Sequence, residues 1–228
     1  DLVALTDGKS ILSGHYEHQT GYMSRTLSIK SNDIIIASGL HALYLPILRE
    51  CCNLSIYLDM DEGLRRHFKL ERDINQRGYT FERVMSSFEK REPDSVRFIR
   101  PQASHADLVL SVQPIHPRIL DDLNGKQPLR LKLVIRSRHG LNEPSLIRVL
   151  VGTCGLHVDM LVGSDATEVE LTMEGEASAQ DIELAAQIIC PRIFEFMDIQ
   201  PNWQDGVIGL MQLITLSFIN QALTKRFI

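Results

Sequence analysis

The chain has 228 residues, 44% of them hydrophobic and 23% charged, which is enough apolar material to bury a core and to build one domain or one and a half. Its formal charge of -5 and pI near 5.9 supply no general field for a polyanion, so nucleic acid is excluded as an expected partner and any anion site must be assembled locally. Four cysteines, the adjacent Cys51 and Cys52 and the distant Cys154 and Cys190, match neither a zinc spacing nor a disulfide framework. The first residues have neither the basic flank nor the apolar core of a signal peptide, and no uninterrupted apolar run has membrane-spanning length. A cytoplasmic protein with reduced thiols and no membrane partner is therefore expected, and the absence of an initiator Met reads as truncation.

Three short apolar runs are predicted as buried strands of a parallel sheet: 33–37, 54–58 and 107–112. Between the second and third, residues 61–102 are highly charged with a thin apolar stripe of Leu64, Phe68, Val84, Met85 and Phe88, which predicts two helices standing off the core as a lid. From about Pro117 the character changes. Residues 129–136 alternate as a half-buried strand does, and 147–151, 156–162 and 167–173 are predicted as further short strands, paired antiparallel through Gly-containing turns. Two helices close the chain, 178–196 interrupted by Pro191 and 209–227 with Leu210, Leu213, Ile214, Ile219 and Leu223 along it. The expected class is α/β: a mostly parallel sheet with a helical lid over 1–116, then an α+β part over 117–228 with antiparallel strands and two helices.

The segment richest in chemistry runs from Lys69 to Thr80. On a helix Lys69, Arg72, Asp73 and Arg77 fall at i, i+3, i+4 and i+8, so three cations share one face with a single carboxylate. Two readings fit this spacing: a solvated charged face, or a phosphate clamp in which Arg forks grip non-bridging oxygens while a carboxylate orients a metal or a hydroxyl. Gly78 is placed to end the helix.

Longer motifs carry a resemblance. Residues 54–59, the 69–79 run, Ser87-Phe88-Glu89-Lys90-Arg91-Glu92-Pro93-Asp94, Ile99-Arg100-Pro101-Gln102 and His105-Ala106-Asp107 resemble the phosphoribulokinase and uridine kinase family in order and spacing. Upstream, Gly8-Lys9-Ser10-Ile11, Tyr16-Glu17-His18 and Thr20-Gly21 resemble its substrate-loop region, and Gly39-Leu40-His41-Ala42-Leu43 its second-strand motif. Downstream, 131–135, Gly152 to Cys154, Trp203 and Gly209-Leu210-Met211-Gln212 resemble the C-terminal portion of phosphoribulokinases. The resemblance implies a P-loop-kinase-like core, an ATP- and Mg2+-dependent phosphotransferase, and a sugar phosphate resembling ribulose 5-phosphate, or a nucleoside, as acceptor. It implies that Lys69, Arg72 and Arg77 contact the sugar phosphate or the transferring phosphoryl group, that Lys69 and Asp73 are catalytic with Asp73 also a metal ligand, and that Tyr16 and His18 help bind the acceptor. Lys90 and Arg91 fall where the family places basic lid residues near the nucleotide; solvated lid charges would look the same. A homo-oligomer is expected by the same resemblance.

Two departures shape the expectation. Gly8-Lys9-Ser10 is not a phosphate loop, because the motif needs a Gly at the position of Val3. No other such loop occurs in the chain, so a complete kinase would carry it upstream of Asp1, and this chain alone is expected to be inactive, with ATP and Mg2+ bound only by the full-length protein. The family's strand-end Glu is Ser38 here, a weaker magnesium ligand than a carboxylate. Uridine or another nucleoside kinase, and a non-catalytic sugar-phosphate sensor or scaffold, stand as alternatives.

Overall fold

A computed structural model describes residues 1–17, 22–120, 129–138, 140–141, 143–163, 168–191, 199 and 201–226. These form two compact units, one made of 1–55 with 93–105 and the other of 56–92 with 106–228.

The second unit is built on a five-stranded sheet. Its strands are β3 (Ile56–Met60), β4 (Leu108–Pro114), β5 (Leu131–Ser137), β6 (His157–Val162) and β7 (Val169–Glu174), in the order β3-β4-β5-β7-β6. The β3–β4 pair is parallel and the three others are antiparallel. The parallel pairing lies in the kinase-like part and the antiparallel pairings involve the later strands, as the sequence predicts. Register aligns one apolar row across all five strands, Leu58, Leu110, Ile135, Leu171 and Met160. Leu110, Ile135 and Leu171 are wholly buried, whereas Leu58 and Met160 at the two edges are exposed. On the opposite face, Lys132 pairs with Glu174 and Arg136 with Glu170 across β5 and β7, so the period-2 alternation sends charge to one side and core to the other.

The apolar side is covered by α5 (Glu143–Gly152), α6 (Ala179–Ile189) and α7 (Gly206–Arg226); α5 packs on α6 and β6, and α7 on α6 and β5. The segment 147–151, predicted as a strand, lies inside α5. Its β-branched residues suggested a strand, but Leu146, Val149 and Leu150, at i, i+3 and i+4, are the buried positions, and helical packing against α6 overrides the weak strand propensity. At α6 the sequence reading is sharper: Ser178 and Asp181 form a reciprocal capping box, and the helix ends before Pro191. Helix α7 is, by length and composition over residues 206–224, apolar enough to cross a membrane. Of that stretch 28% is buried, including Leu210, Leu213, Ile214 and Phe218, which form one stripe at helical spacing. Burial pushes the thiols of Cys154 and Cys190 up to about 11, consistent with inert core cysteines.

The first unit holds α1 (Leu2–Thr6), the antiparallel pair β1 (Ile11–Glu17) and β2 (Tyr22–Ile29), and α2 (Pro46–Glu50). Gln102, only 4% exposed, ties the 40–43 loop to the 98–102 helical turn: its Oε1 accepts from the Leu43 amide at 2.9 Å, and its Nε2 donates to the carbonyls of Leu40 and Phe98 at 2.8 Å each. This gives Ile99-Arg100-Pro101-Gln102 a structural role. The predicted strand at 33–37 is absent. No described segment pairs with it, and Ile34 and Ile36 are 76% and 89% exposed; an apolar run becomes a strand only when a neighbour takes up its backbone hydrogen bonds.

Candidate functional site

The second unit places its most charged helix by a short strand-to-helix turn. At the end of β3 the Asp61 amide donates to the Val112 carbonyl at 2.9 Å, and its carboxylate caps α3 (Glu62–Glu71) by accepting from the Leu64 amide at 3.0 Å. Leu64 is fully buried beneath the helix. Gly63 permits a close approach to the 117–120 turn, since a Cβ there would lie 2.7 Å from Leu120 Cδ1. The face of α3 near the Phe88 ring then presents the partly buried Arg65 and Lys69 and the exposed Arg66.

Beyond Glu71 the helix widens into a π turn over Arg72–Gln76, a feature that recurs at functional sites. It closes with the Gly78 amide on the Ile74 carbonyl at 3.2 Å and the Tyr79 amide on the Asp73 carbonyl at 2.9 Å. Gly78 has φ +67°, the left-handed conformation that a side chain disfavours. Inside this turn Asp73 is 4% exposed. Its Oδ1 accepts from Arg72 Nε at 2.9 Å and from Arg77 Nη1 at 3.1 Å, while the two arginine side chains remain about half exposed. The hydrogen bond from Arg72, reinforced by the charges of Arg72, Arg77 and Lys69, holds the Asp73 carboxyl below its ordinary value of 3.8.

Lys69 stands one turn earlier. Its ammonium lies 4.2 Å from the centroid of the Phe88 ring and donates to Ser87 Oγ at 3.3 Å, both on α4 (Phe81–Asp94). Desolvation lowers its pKa from 10.5, and the nearby charge of Arg91 lowers it further, against the opposing pull of Asp73. Lys69, Arg72 and Arg77 thus act on one carboxylate, and Arg91 acts on Lys69, a local surplus of positive charge in which the arginine forks have the geometry to grip an oxyanion. Helix α4 is tied to α3 again by Arg65, which donates to Glu62 at 2.7 Å and lies 3.5 Å from Glu92.

The structure therefore brings together Lys69, Arg72, Asp73 and Arg77, with Arg91 beside Lys69, while Lys90 is exposed on α4. Tyr16 lies on β1 and Ser38 in an exposed loop, both in the other unit; His18 lies outside the described residues. Sequence reasoning passed over Ser87 as a partner of Lys69 and counted Phe88 only as core. Their signal was present in the 69–79 and 87–94 motifs, but a ring on an apolar stripe does not announce that a cation sits on its face.

The described residues do not fit a magnesium ion. Asp73 Oδ1 already accepts from two guanidinium groups amid a surplus of cations, and no cluster of three His, Cys, Asp or Glu side chains able to hold a metal occurs among the described residues. A hydroxyl such as that of Ser38 is one ligand of the roughly six that magnesium requires.

Several known proteins share this chain's pattern. It is 34% identical over 146 residues to the phosphoribulokinase of Synechocystis sp., covering 64% of this chain and 43% of that protein. To the chloroplastic phosphoribulokinase of Spinacia oleracea it is 36% identical over 131 residues, 58% of this chain and 32% of that one. To the uridine kinase of Clostridium botulinum it is 34% identical over 99 residues, 43% and 48% of the respective chains. The chain thus spans less than half the length of these relatives. A solved phosphoribulokinase from Rhodobacter spheroides superposes with a TM-score of 0.55 at 19% identity over 86% of this chain and 69% of its own, which shows a shared fold. The model of the phosphoribulokinase / uridine kinase family matches residues 1–117, just over half of the sequence. The chain belongs to the phosphoribulokinase / uridine kinase family.

Proposed function

We propose that this chain is the acceptor-binding part of an ATP-dependent phosphotransferase that acts on a hydroxyl of a sugar phosphate resembling ribulose 5-phosphate. The observation that carries the reading is the cation surplus around Asp73: Lys69, Arg72 and Arg77 against one carboxylate already shared by the two arginines, with Arg91 adding charge at Lys69. A neutral nucleoside offers such a seat no charge to neutralise, whereas a phosphate monoester offers up to two, and Arg forks match its oxygens in geometry. In this reading Arg72 and Arg77 grip the acceptor phosphate, Asp73 fixes their orientation, and Lys69 with Arg91 adds charge from the α4 side. Tyr16 and His18 are assigned to the acceptor, and Lys90 to the nucleotide side of the lid.

Neither a nucleotide loop nor a magnesium site is assigned to the described residues. The chain's own contribution is to bind and orient, so it is expected to bind acceptor without turning it over. Calorimetry of the chain with ribulose 5-phosphate and with uridine, each without nucleotide, tests this. Binding of the sugar phosphate alone is expected. Binding of uridine in preference would transfer the reading to nucleoside kinases, and robust turnover of ATP by this chain would refute the division of labour.

A further inference from the structure

Helix α4 also acts on the seat through a residue that is not its own. Lys69 has a flexible four-carbon stem, and its charged neighbours Arg91, Arg72 and Arg65 all repel it, against the attraction of Asp73. An unanchored ammonium in that field would swing toward water. It is held instead by the Phe88 ring, 4.2 Å from Nζ to the centroid, and by Ser87 Oγ at 3.3 Å. The negative face of the ring and the hydroxyl lone pair together stabilise a cation that desolvation and repulsion disfavour. Phe88 is itself 6% exposed, so the ring is not free to turn away. The guanidinium carbons of Arg65 and Arg66 also lie near the same ring, at 5.8 Å each, and Lys69 is the nearest of the three.

We propose that Phe88 and Ser87 are positioning residues that hold Lys69 toward the Arg72–Asp73–Arg77 cluster, so that these two side chains raise the affinity for an acceptor phosphate without touching it. The inference rests on reading that cluster as a phosphate seat. The discriminating point is chemical: leucine fills the volume of Phe88 but has no π face, whereas tyrosine keeps the face.

The test uses this chain with inorganic phosphate and ribulose 5-phosphate as probes, measured by calorimetry. In parallel, carbon-13 resonances of dimethylated lysines are recorded, with that of Lys69 identified by its absence in Lys69→Ala. The wild type should show the Lys69 methyl resonance shifted upfield by the ring current. Phe88→Leu should abolish that shift and weaken binding about five-fold, the size of a partly desolvated cation–π contact. Phe88→Tyr should restore both, and Ser87→Ala should weaken binding about two- to three-fold. Val84→Ala, which removes buried volume from the same helix, should lower the melting temperature and leave affinity unchanged. Should the wild type bind, Lys69→Ala fail to bind and Phe88→Leu match the wild type, the positioning role is overturned and the phosphate seat stands. An unshifted wild-type resonance, or equal losses in Val84→Ala and Phe88→Leu, overturns the positioning role as well. A wild type that binds neither probe overturns the seat and, with it, this inference.

Discussion

Replacing Arg72 by Ala removes one of two guanidinium groups that share Asp73 Oδ1. A charge-assisted hydrogen bond contributes about 1.5–3 kcal/mol net. Because the Arg72 side chain is 46% exposed, the low end applies, which is about a ten-fold loss in affinity for ribulose 5-phosphate. A second effect acts in the same direction: Asp73 keeps the hydrogen bond from Arg77 alone of the two arginines, and its carboxylate then repels an incoming phosphate more strongly. The double variant Arg72→Ala/Asp73→Asn removes that repulsion while keeping side-chain volume, and should recover at least two-fold of the loss. Calorimetry of the wild type, both single variants and the double closes the cycle. Wild-type affinity in Arg72→Ala would refute a phosphate seat at this arginine. A double variant as weak as Arg72→Ala would refute the coupling inferred from the shared oxygen.

Two further outcomes follow from the same structure. Lys69 must be charged to attract an anion, and its native pKa lies below 10.5, chiefly by desolvation; affinity should therefore begin to fall on the alkaline side before an ordinary lysine would deprotonate, and Lys69→Arg should move that fall to higher pH, as read from dissociation constants measured in a pH series. Ile135→Ala empties a fully buried position whose cross-strand neighbours are Leu110 and Leu171; the expected cost is about 3 kcal/mol in denaturant unfolding, and a cost below about 1 kcal/mol would show that this row is not the centre of the core.

The arginine–carboxylate cluster was legible because its residues are local in sequence: spacings of three, four and eight bring side chains together whether the turn is α or slightly wider. The strands β4, β5 and β7 were legible for a similar reason, their alternation or apolar run being unambiguous. What escaped depended on partners far away in the chain. The 33–37 run has strand composition but lacks a described neighbour to pair with, and 147–151 has strand residues inside a helix whose buried face is set by α6. The anchoring of Lys69 needs α3 and α4 in contact, 18 residues apart for the Lys69–Ser87 bond, and no local pattern encodes that. Family motifs helped most where they were long, and they could not say which of the cations would be exposed and which covered.

The π turn between Lys69 and Gly78 has a consequence for how this segment can vary. An α-helix advances about 100° per residue, so losing one of residues 74–76 would turn Arg77 by about that much and make it the i+3 neighbour of Asp73, which approaches the carboxylate from its other side. Ile74, Asn75 and Gln76 are exposed and free to change in kind. Their number sets the direction from which the arginine meets the carboxylate: the segment is a ruler whose markings can be rewritten, while a change of length re-aims Arg77.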